Sequence, residues 1–197
     1  TIFCSGGHGK VAMRTTPRLV AQGHTVTAVI RNPDHIQEVT DTGAQPLLLD
    51  IEQATVTDFV DTFRGKDAVI WAAGAGGGNP QRTYAIDRDA AQRSIDAAVE
   101  AGVERYVMVS YAGAGSDHGI SEDSSFFPYA ESKAAADAYL RESGLNYTIL
   151  GPGLLTLDEP TLKIRLLPQT GSAQSADDGH DTYRGNVAEA IVVALEE

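Results

Sequence analysis

The sequence predicts an α/β fold in which a parallel sheet carries helices on both faces. Five times along the chain, a helical pattern ends at a glycine that is followed by a short β-branched or aromatic run. Such glycines suit the left-handed position just beyond a helix end. The alternation therefore indicates helices that alternate with strands. The glycines and the strand runs after them are Gly23 with 25–30, Gly43 with 46–49, Gly65 with 68–72, Gly102 with 105–109 and Gly144 with 147–150.

The composition of these runs predicts how the strands are arranged. With residues 2–4 as the first strand, six strands are expected up to residue 150. Runs such as 69–72 and 106–109 are apolar throughout, which is typical of strands that helices cover on both faces. Short right-handed crossovers then place the strands in a doubly wound, three-layer sheet, and ligands bind beyond the carboxyl ends of such strands.

Helical spacing of apolar residues predicts which side chains build the core. Two segments show such a stripe, and we expect both stripes and Trp71 to be buried. The last helix is predicted over 187–195, after a polar segment at 171–183 that is expected to be a surface loop. The stripe residues are Val56, Phe59, Val60, Phe63, Ile86, Ala90, Ala91, Ile95, Ala98 and Val99.

Length and charge narrow the classes of partner. A chain of 197 residues predicts a single domain over 1–197. The net charge of −12 repels phosphodiester backbones and anionic lipids, so we expect a small-molecule substrate, no nucleic acid and no membrane. No run approaches the roughly 18 apolar residues of a membrane span, and the start of the chain carries no signal-peptide pattern. These features predict a cytoplasmic protein.

Cysteine and histidine usage indicates neither a disulfide nor a metal. The single cysteine, Cys4, is expected to be a small buried strand residue. The five histidines are dispersed, without paired spacing to cysteine or carboxylate, so no metal site is predicted.

A glycine-rich loop follows the first strand and precedes a helix. Its spacing is G-x-x-G-x-x-A, formed by Gly6, Gly9 and Ala12. The glycines permit a tight turn and a close approach to a pyrophosphate, and the helix N-terminus supplies N–H groups. The position between a strand and a helix is what makes this motif informative. The loop is therefore predicted to bind dinucleotide phosphates, with contacts from Gly6, Gly7, His8, Gly9, Lys10 and Val11.

The end of the second strand bears on which dinucleotide binds. NAD-preferring sites place an acidic residue there, whereas this chain has Arg31. The planar guanidinium can grip a 2′-phosphate, and Lys10 can add charge nearby. We therefore predict NADP(H) rather than NAD(H), the alternative for Arg31 being a solvated arginine at a strand end.

Three motifs together resemble a known superfamily. Residues 6–12, then Arg31-Asn32-Pro33, then Asp50-Ile51 after strand three are similar to the atypical short-chain dehydrogenase/reductases. These are short NAD(P)H-binding Rossmann proteins of the NmrA-like and NAD-dependent epimerase/dehydratase-like kind, and the resemblance covers most of the chain. The resemblance implies that Asp50 and Ile51 flank the adenine. It also implies that Ala72-Ala73-Gly74, the segment after strand four, runs alongside the cofactor ribose.

A second constellation resembles the reaction centre of that superfamily. Ser110 ends strand five, and Tyr129 and Lys133 open a helix with the Tyr-x-x-x-Lys spacing. Residues four apart share a helix face, so Lys133 is expected to lower the pKa of the Tyr129 phenol. Tyr129 can then donate a proton and Ser110 can hydrogen-bond the acceptor oxygen, while the resemblance implies that Lys133 also holds the nicotinamide ribose. The alternative is a surface pair in a chain that only inherited the fold.

Two departures from the resembled family limit what can be said of the substrate. Gly151 precedes Pro152-Gly153 where many relatives carry Arg-Pro-Gly, and residues 154–197 are few for a sugar-nucleotide region. The first hypothesis is an NADPH-dependent reductase of a small carbonyl, quinone or flavin-like acceptor. The second is a non-catalytic NADP(H)-binding sensor that reports to a protein partner. Whether residues 112–128 form a lid stays open.

Overall fold

The sheet observed in the computed structural model, which describes residues 1–161, 163 and 182–196, has the predicted doubly wound form. Six parallel strands lie in the order β3-β2-β1-β4-β5-β6. The chain changes direction across the sheet between β1 and β4, which opens a crevice at the carboxyl ends of these two strands. The strands are β1 Ile2–Ser5, β2 Val26–Ile30, β3 Gln45–Leu48, β4 Ala68–Trp71, β5 Arg105–Val109 and β6 Tyr147–Leu150.

The helices follow the strands in the predicted alternation. A π-helix over Tyr84–Ala90 joins two α-helices, and a 3₁₀ turn over Pro33–His35 precedes the second α-helix. The α-helices are α1 Ala12–Ala21, α2 Ile36–Asp41, α3 Val56–Phe63, α4 Pro80–Thr83, α5 Ala91–Ala101, α6 Phe127–Glu142 and α7 Arg184–Glu196.

The glycine at the end of α5 shows why the glycine pattern was informative. Gly102 has φ +68°, and its N–H donates to the carbonyl of Val99. The next residue, Val103, donates to Ala98, which closes the helix end in the left-handed capping arrangement. Gly23, Gly43, Gly65 and Gly144 also have positive φ, so all five predicted glycine positions are confirmed.

Two apolar layers enclose the sheet. On one face Phe3, Phe59, Phe63 and Trp71 pack with α3, α5 and α6, and on the other face α1 and α7 pack together. The predicted stripes are buried or half-buried except at Val99, whose exposed fraction is 49%. That prediction was wrong because Val99 lies beyond the edge of the buried face of α5, where it lines a surface depression.

A two-stranded ribbon was not anticipated. β7 Leu155–Thr156 pairs in parallel with β8 Thr182–Tyr183, and Thr182 donates to the carbonyl of Leu154. The predicted loop over 171–183 is therefore wrong at its last two residues, and 171–181 lie outside the described residues. A strand of two residues leaves no periodicity in the sequence, and α7 begins at Arg184, before the predicted start at 187.

Cys4 is fully buried in β1, as expected, and burial raises the pKa of its thiol to about 12. The thiolate form, which is the reactive one, is therefore suppressed at neutral pH. Within the described ranges, no group of three or more His, Cys, Asp or Glu side chains is placed to hold a metal ion. None of the helices described there is long and apolar enough to cross a bilayer.

Candidate cofactor and active site

The loop after β1 leaves several backbone donors unused. Gly7 donates to the carbonyl of Val29 at 2.7 Å, and Gly9 donates to Gly6 at 2.6 Å. No side chain caps the N-terminus of α1. In the described part of the chain, the N–H groups of His8, Lys10, Val11 and Ala12 have no hydrogen-bond acceptor. An uncapped helix N-terminus with unused N–H groups fits an anionic pyrophosphate.

The loop glycines are required by the packing of the protein itself. A Cβ at Gly6, where φ is +65°, would lie 3.0 Å from the carbonyl oxygen of Ala72. At Gly7 a Cβ would lie 2.8 Å from Cβ of Ala28, and at Gly9 it would lie 2.9 Å from the Gly6 oxygen. Besides the tight turn and the close approach to a pyrophosphate expected from the sequence, the glycines allow the loop to pack tightly against β2 and the segment after β4.

Replacing Gly9 by valine is expected to weaken NADPH binding by about hundredfold or more. The new Cβ displaces the Gly6 carbonyl and with it the turn that presents the N–H groups. Isothermal calorimetry measures the affinity, and thermal unfolding reports whether the fold survives. Gly115→Val is the matched control, because a Cβ there meets no heavy atom within 4 Å. Normal affinity in a folded Gly9→Val protein would remove the phosphate-loop assignment.

The side chain of His8 points away from the loop and toward the 3₁₀ turn and α2. Its ring stacks on that of His35 with 3.6 Å between centroids, and its Nε2 lies 3.0 Å from Oε2 of Glu38. The hydrogen bond and charge of His8 lower the pKa of the Glu38 carboxyl. The predicted contact of His8 with the cofactor is therefore assigned to its backbone N–H, and Lys10 is exposed beside it.

An arginine pair surrounds one carboxylate at the end of β2. Arg31 Nη1 lies 4.0 Å from Oε2 of Glu52, and 58% of the Arg31 side chain is exposed. Arg82 lies closer, with Nε 3.3 Å from the same oxygen, and it also donates to the carbonyl of Ala75. Arg31 approaches the carboxylate less closely than Arg82, and most of its side chain is exposed. Sequence reasoning missed Glu52 and Arg82, which no local motif marks.

The segment after β3 is held in place by hydrogen bonds from a residue of α5. Asp50 Oδ1 accepts from the N–H of Glu52 at 3.1 Å and so forms a tight turn. Arg93 of α5 donates to the carbonyls of Ile51 and Ala54 at 3.3 and 2.8 Å. Arg93 was not singled out from the sequence, yet it holds the predicted adenine-flanking pair in place.

The segment after β4 crosses the crevice next to the glycine loop. The Ser5 hydroxyl accepts from the N–H groups of Ala72 and Ala73 at 3.0 and 3.2 Å. A Cβ on Gly74 would lie 3.0 Å from Oδ1 of Asp87. The predicted ribose-passing segment therefore lies between the phosphate loop and the π-helix that carries Asp87.

Lys133 and Ser110 meet at the carboxyl end of β5. The Lys133 ammonium donates to the carbonyl of Val109 at 2.9 Å and lies 3.7 Å from Oδ1 of Asp87. It also lies 5.9 Å from the centroid of the Tyr129 ring. The three predicted reaction residues are thus brought to one region, and the buried Asp87 joins them.

The pKa of Tyr129 departs from its ordinary value in the direction opposite to the prediction. Burial raises the pKa of the phenol, and the nearby Asp87 carboxyl adds to that effect. The expected lowering by Lys133 was wrong because the ammonium is directed at the Val109 carbonyl and the Asp87 carboxylate. The phenol is therefore fully protonated at neutral pH.

Aromatic side chains line an open cavity of about 550 Å³ beside Tyr129. The rings of Tyr111, Phe126 and Tyr129 form a cluster with centroids 5.2 to 5.5 Å apart. Phe126 and Tyr129 border the cavity, and residues 76–78, three consecutive glycines with φ near +80°, also line it. The cavity lining thus combines aromatic rings with a stretch of backbone that carries no side chains.

The strands lie in the order β3-β2-β1-β4-β5-β6, and the uncapped helix α1 follows β1, where the strand order reverses. This arrangement defines a dinucleotide-binding Rossmann protein. The chain belongs to the NAD(P)H-binding family, whose model matches residues 6–197. The predicted superfamily and the binding of NAD(P)H are thereby confirmed.

Individual relatives agree with this assignment. The uncharacterized sugar epimerase YhfK of Bacillus subtilis is 30% identical over 200 residues, which cover 100% of this chain and 88% of YhfK. The oxidoreductase ylbE from Lactococcus lactis superposes with a TM-score of 0.82 at 25% identity, over 99% of this chain and 84% of ylbE. ChuY from Escherichia coli O157:H7, an anaerobilin reductase, has a TM-score of 0.77 at 26% identity, over 98% of this chain and 89% of ChuY.

Proposed function

We propose that this chain is an NADP(H)-dependent oxidoreductase that reduces a small carbonyl, quinone or flavin-like acceptor. The observation that carries the proposal is the meeting of Ser110, Tyr129 and Lys133 at the carboxyl end of β5, beside an aromatic-lined cavity. Ligands of doubly wound sheets bind at this end of the strands. The likeness to ylbE and to the anaerobilin reductase ChuY supports a reductase over other uses of the fold.

Each residue has a distinct role in this proposal. The reduced nicotinamide, when bound, supplies the hydride. Tyr129 gives its phenolic proton to the acceptor oxygen as negative charge develops there, and its raised pKa keeps that proton in place until then. Lys133 holds the ribose hydroxyls with its ammonium, and Ser110 hydrogen-bonds the acceptor oxygen.

The walls of the cavity favour a planar, conjugated acceptor. Aromatic rings such as those of Phe126 and Tyr129 stack well on a flat π-system, and the glycines in the lining add no side chains that would block it. The direct test is to follow NADPH oxidation with a panel of aldehydes, quinones and flavins. Turnover of a planar acceptor is expected. Tight NADPH binding with no turnover of any acceptor would contradict the reductase assignment.

NADP(H) is expected to bind more tightly than NAD(H), and Arg31→Ala should remove most of that preference. Loss of one charge-assisted phosphate contact costs about 1.5 to 3 kcal/mol, which is about ten- to hundredfold in affinity for NADPH. Affinity for NADH should stay unchanged, because that cofactor has no 2′-phosphate. Arg64→Ala is the control, since Arg64 is an exposed arginine paired with Asp61. Equal wild-type affinities for the two cofactors would refute the preference.

A second candidate function is an NADP(H)-binding sensor without turnover. The observation in its favour is that the proposed reaction groups are engaged within the protein, with Lys133 on Val109 and Asp87 and with Ser110 on Asp137. A sensor would bind the reduced and oxidised cofactor with different affinities and pass that difference to a protein partner. Calorimetry with NADPH and NADP⁺, together with the acceptor panel, separates the two candidates.

A further inference from the structure

Asp137 is a buried carboxyl group that the roles above leave unused. It lies on α6 four residues after Lys133 and eight after Tyr129, so the three side chains share one helix face. Asp137 is 1% exposed and Ser110 is 3% exposed. The Ser110 hydroxyl oxygen lies 2.7 Å from Oδ2 of Asp137, and within the described residues Oδ1 has no hydrogen-bond partner.

The protonation state of Asp137 decides what the Ser110 hydroxyl can do. A serine hydroxyl has a single hydrogen, and an ionised carboxylate only accepts hydrogen bonds. Beside an ionised Asp137, the Ser110 hydrogen is used on the carboxylate and cannot reach an acceptor molecule. Beside a neutral Asp137, the carboxylic O–H donates to Ser110, and the serine hydrogen is available for another oxygen.

The surroundings of Asp137 offer little direct compensation for a negative charge. Lys133, one turn earlier on α6, lies 3.7 Å from Asp87 and donates to the carbonyl of Val109. Across residues 1–161, 163 and 182–196, no Lys or Arg nitrogen lies within 4.0 Å of the Asp137 carboxyl, and Arg141 on the next turn is exposed. Tyr111 and Tyr129 bring no positive charge to this region.

The direction of the Asp137 pKa agrees with this arrangement. Burial raises the pKa of the carboxyl, and the Ser110 hydrogen bond, Lys133 and Arg141 oppose that rise. Lys133 can therefore compensate the charge of one of the two buried carboxyl groups, and it lies within ion-pair distance of Asp87.

We propose that Asp137 is a positioning residue whose neutral carboxyl group turns the Ser110 hydrogen toward the acceptor oxygen. This inference rests on the reductase activity proposed above. It adds to that activity a residue that sets the direction of the Ser110 hydrogen bond. The hydride still comes from the nicotinamide and the proton from Tyr129. Asp137 keeps its proton throughout, and Ser110 contributes a hydrogen bond without losing its own.

The pH profile of turnover tests this role. Wild-type turnover is expected to fall as pH rises through the pKa of Asp137, since the ionised carboxylate turns the Ser110 hydrogen away. In Asp137→Asn the amide N–H₂ can donate to Ser110 at every pH. Asp137→Asn should keep turnover within about tenfold of wild type and should lose the alkaline limb of the profile, which is the fall of turnover at high pH. Ser110→Ala should lower turnover on the order of 10²-fold at every pH. An unchanged alkaline limb in Asp137→Asn would overturn the proposal.

An infrared measurement tests the same point without any activity. A neutral Asp137 shows the carbonyl stretch of a carboxylic acid, and the difference spectrum between wild type and Asp137→Asn isolates that band. The band is expected at neutral pH and should disappear on the same titration as turnover. Its absence at neutral pH refutes the neutral carboxyl even if the enzyme is active. Its presence in a protein that reduces no acceptor would refute only the reductase activity.

Discussion

Tyr129→Phe is expected to lower turnover by about 10²- to 10⁴-fold and to leave NADPH affinity nearly unchanged. Phenylalanine keeps the ring contacts with Tyr111 and Phe126, whose centroids lie 5.5 and 5.2 Å away, and deletes only the hydroxyl. In the described part of the protein, that hydroxyl has no internal hydrogen-bond partner, so its removal leaves no buried group unsatisfied. Steady-state kinetics with the best acceptor and calorimetry with NADPH measure the two effects.

Tyr139→Phe is the matched control on the same helix. Its hydroxyl donates to Asp96 at 2.7 Å on the outer surface, so turnover should stay at the wild-type rate. A Tyr129→Phe enzyme as fast as wild type would show that the proton comes from solvent or another acid. His118 is poorly placed for that role, because its Nδ1 accepts from Ile120 and its Nε2 lies 2.9 Å from Glu131.

Lys133→Met is expected to lower the free energy of unfolding by about 3 kcal/mol, besides abolishing turnover and weakening cofactor binding. Among the residues that the structure describes, Lys133 is the only ion-pair partner of Asp87, which is 1% exposed. Burial already raises the pKa of Asp87, with Lys133 opposing that rise, so the carboxyl of the variant takes up a proton on folding. The stability deficit should therefore shrink as pH falls toward the ordinary range of aspartate, where the unfolded chain is protonated as well.

Denaturant unfolding of a double-mutant cycle measures this coupling. Asp87→Asn combined with Lys133→Met should cost clearly less than the sum of the single changes, because neither partner is left charged and buried. Lys66→Met is the control for loss of a lysine, since within the described ranges its ammonium donates only to the neutral hydroxyl of Thr27. That change should cost about 1 kcal/mol. Additive effects of the Asp87 and Lys133 changes would show that the pair is not coupled.

The sequence by itself determined the order of elements and the location of the glycine-rich loop. Helix ends are marked by residues such as Gly102, because only glycine adopts positive φ without strain. Strands such as β4 and β5 are apolar on both faces, because helices cover both faces of the sheet. These are local steric and burial constraints, and each leaves a readable pattern within a few residues. The glycine loop after β1 and the helix positions of Tyr129 and Lys133 followed from the same kind of pattern.

Only the tertiary structure decided what the side chains of the site do. Lys133 binds Val109, which lies 24 residues away in sequence, and Ser110 binds Asp137 across 27 residues. Arg82 pairs with Glu52 across 30 residues, and Arg31 approaches the same carboxylate with 58% of its side chain exposed. Such contacts depend on which elements become neighbours and on the desolvation of each charge, and neither leaves a trace in local spacing. For that reason the direction of the Tyr129 pKa and the hydrogen bond between Ser110 and Asp137 became visible only in the folded protein.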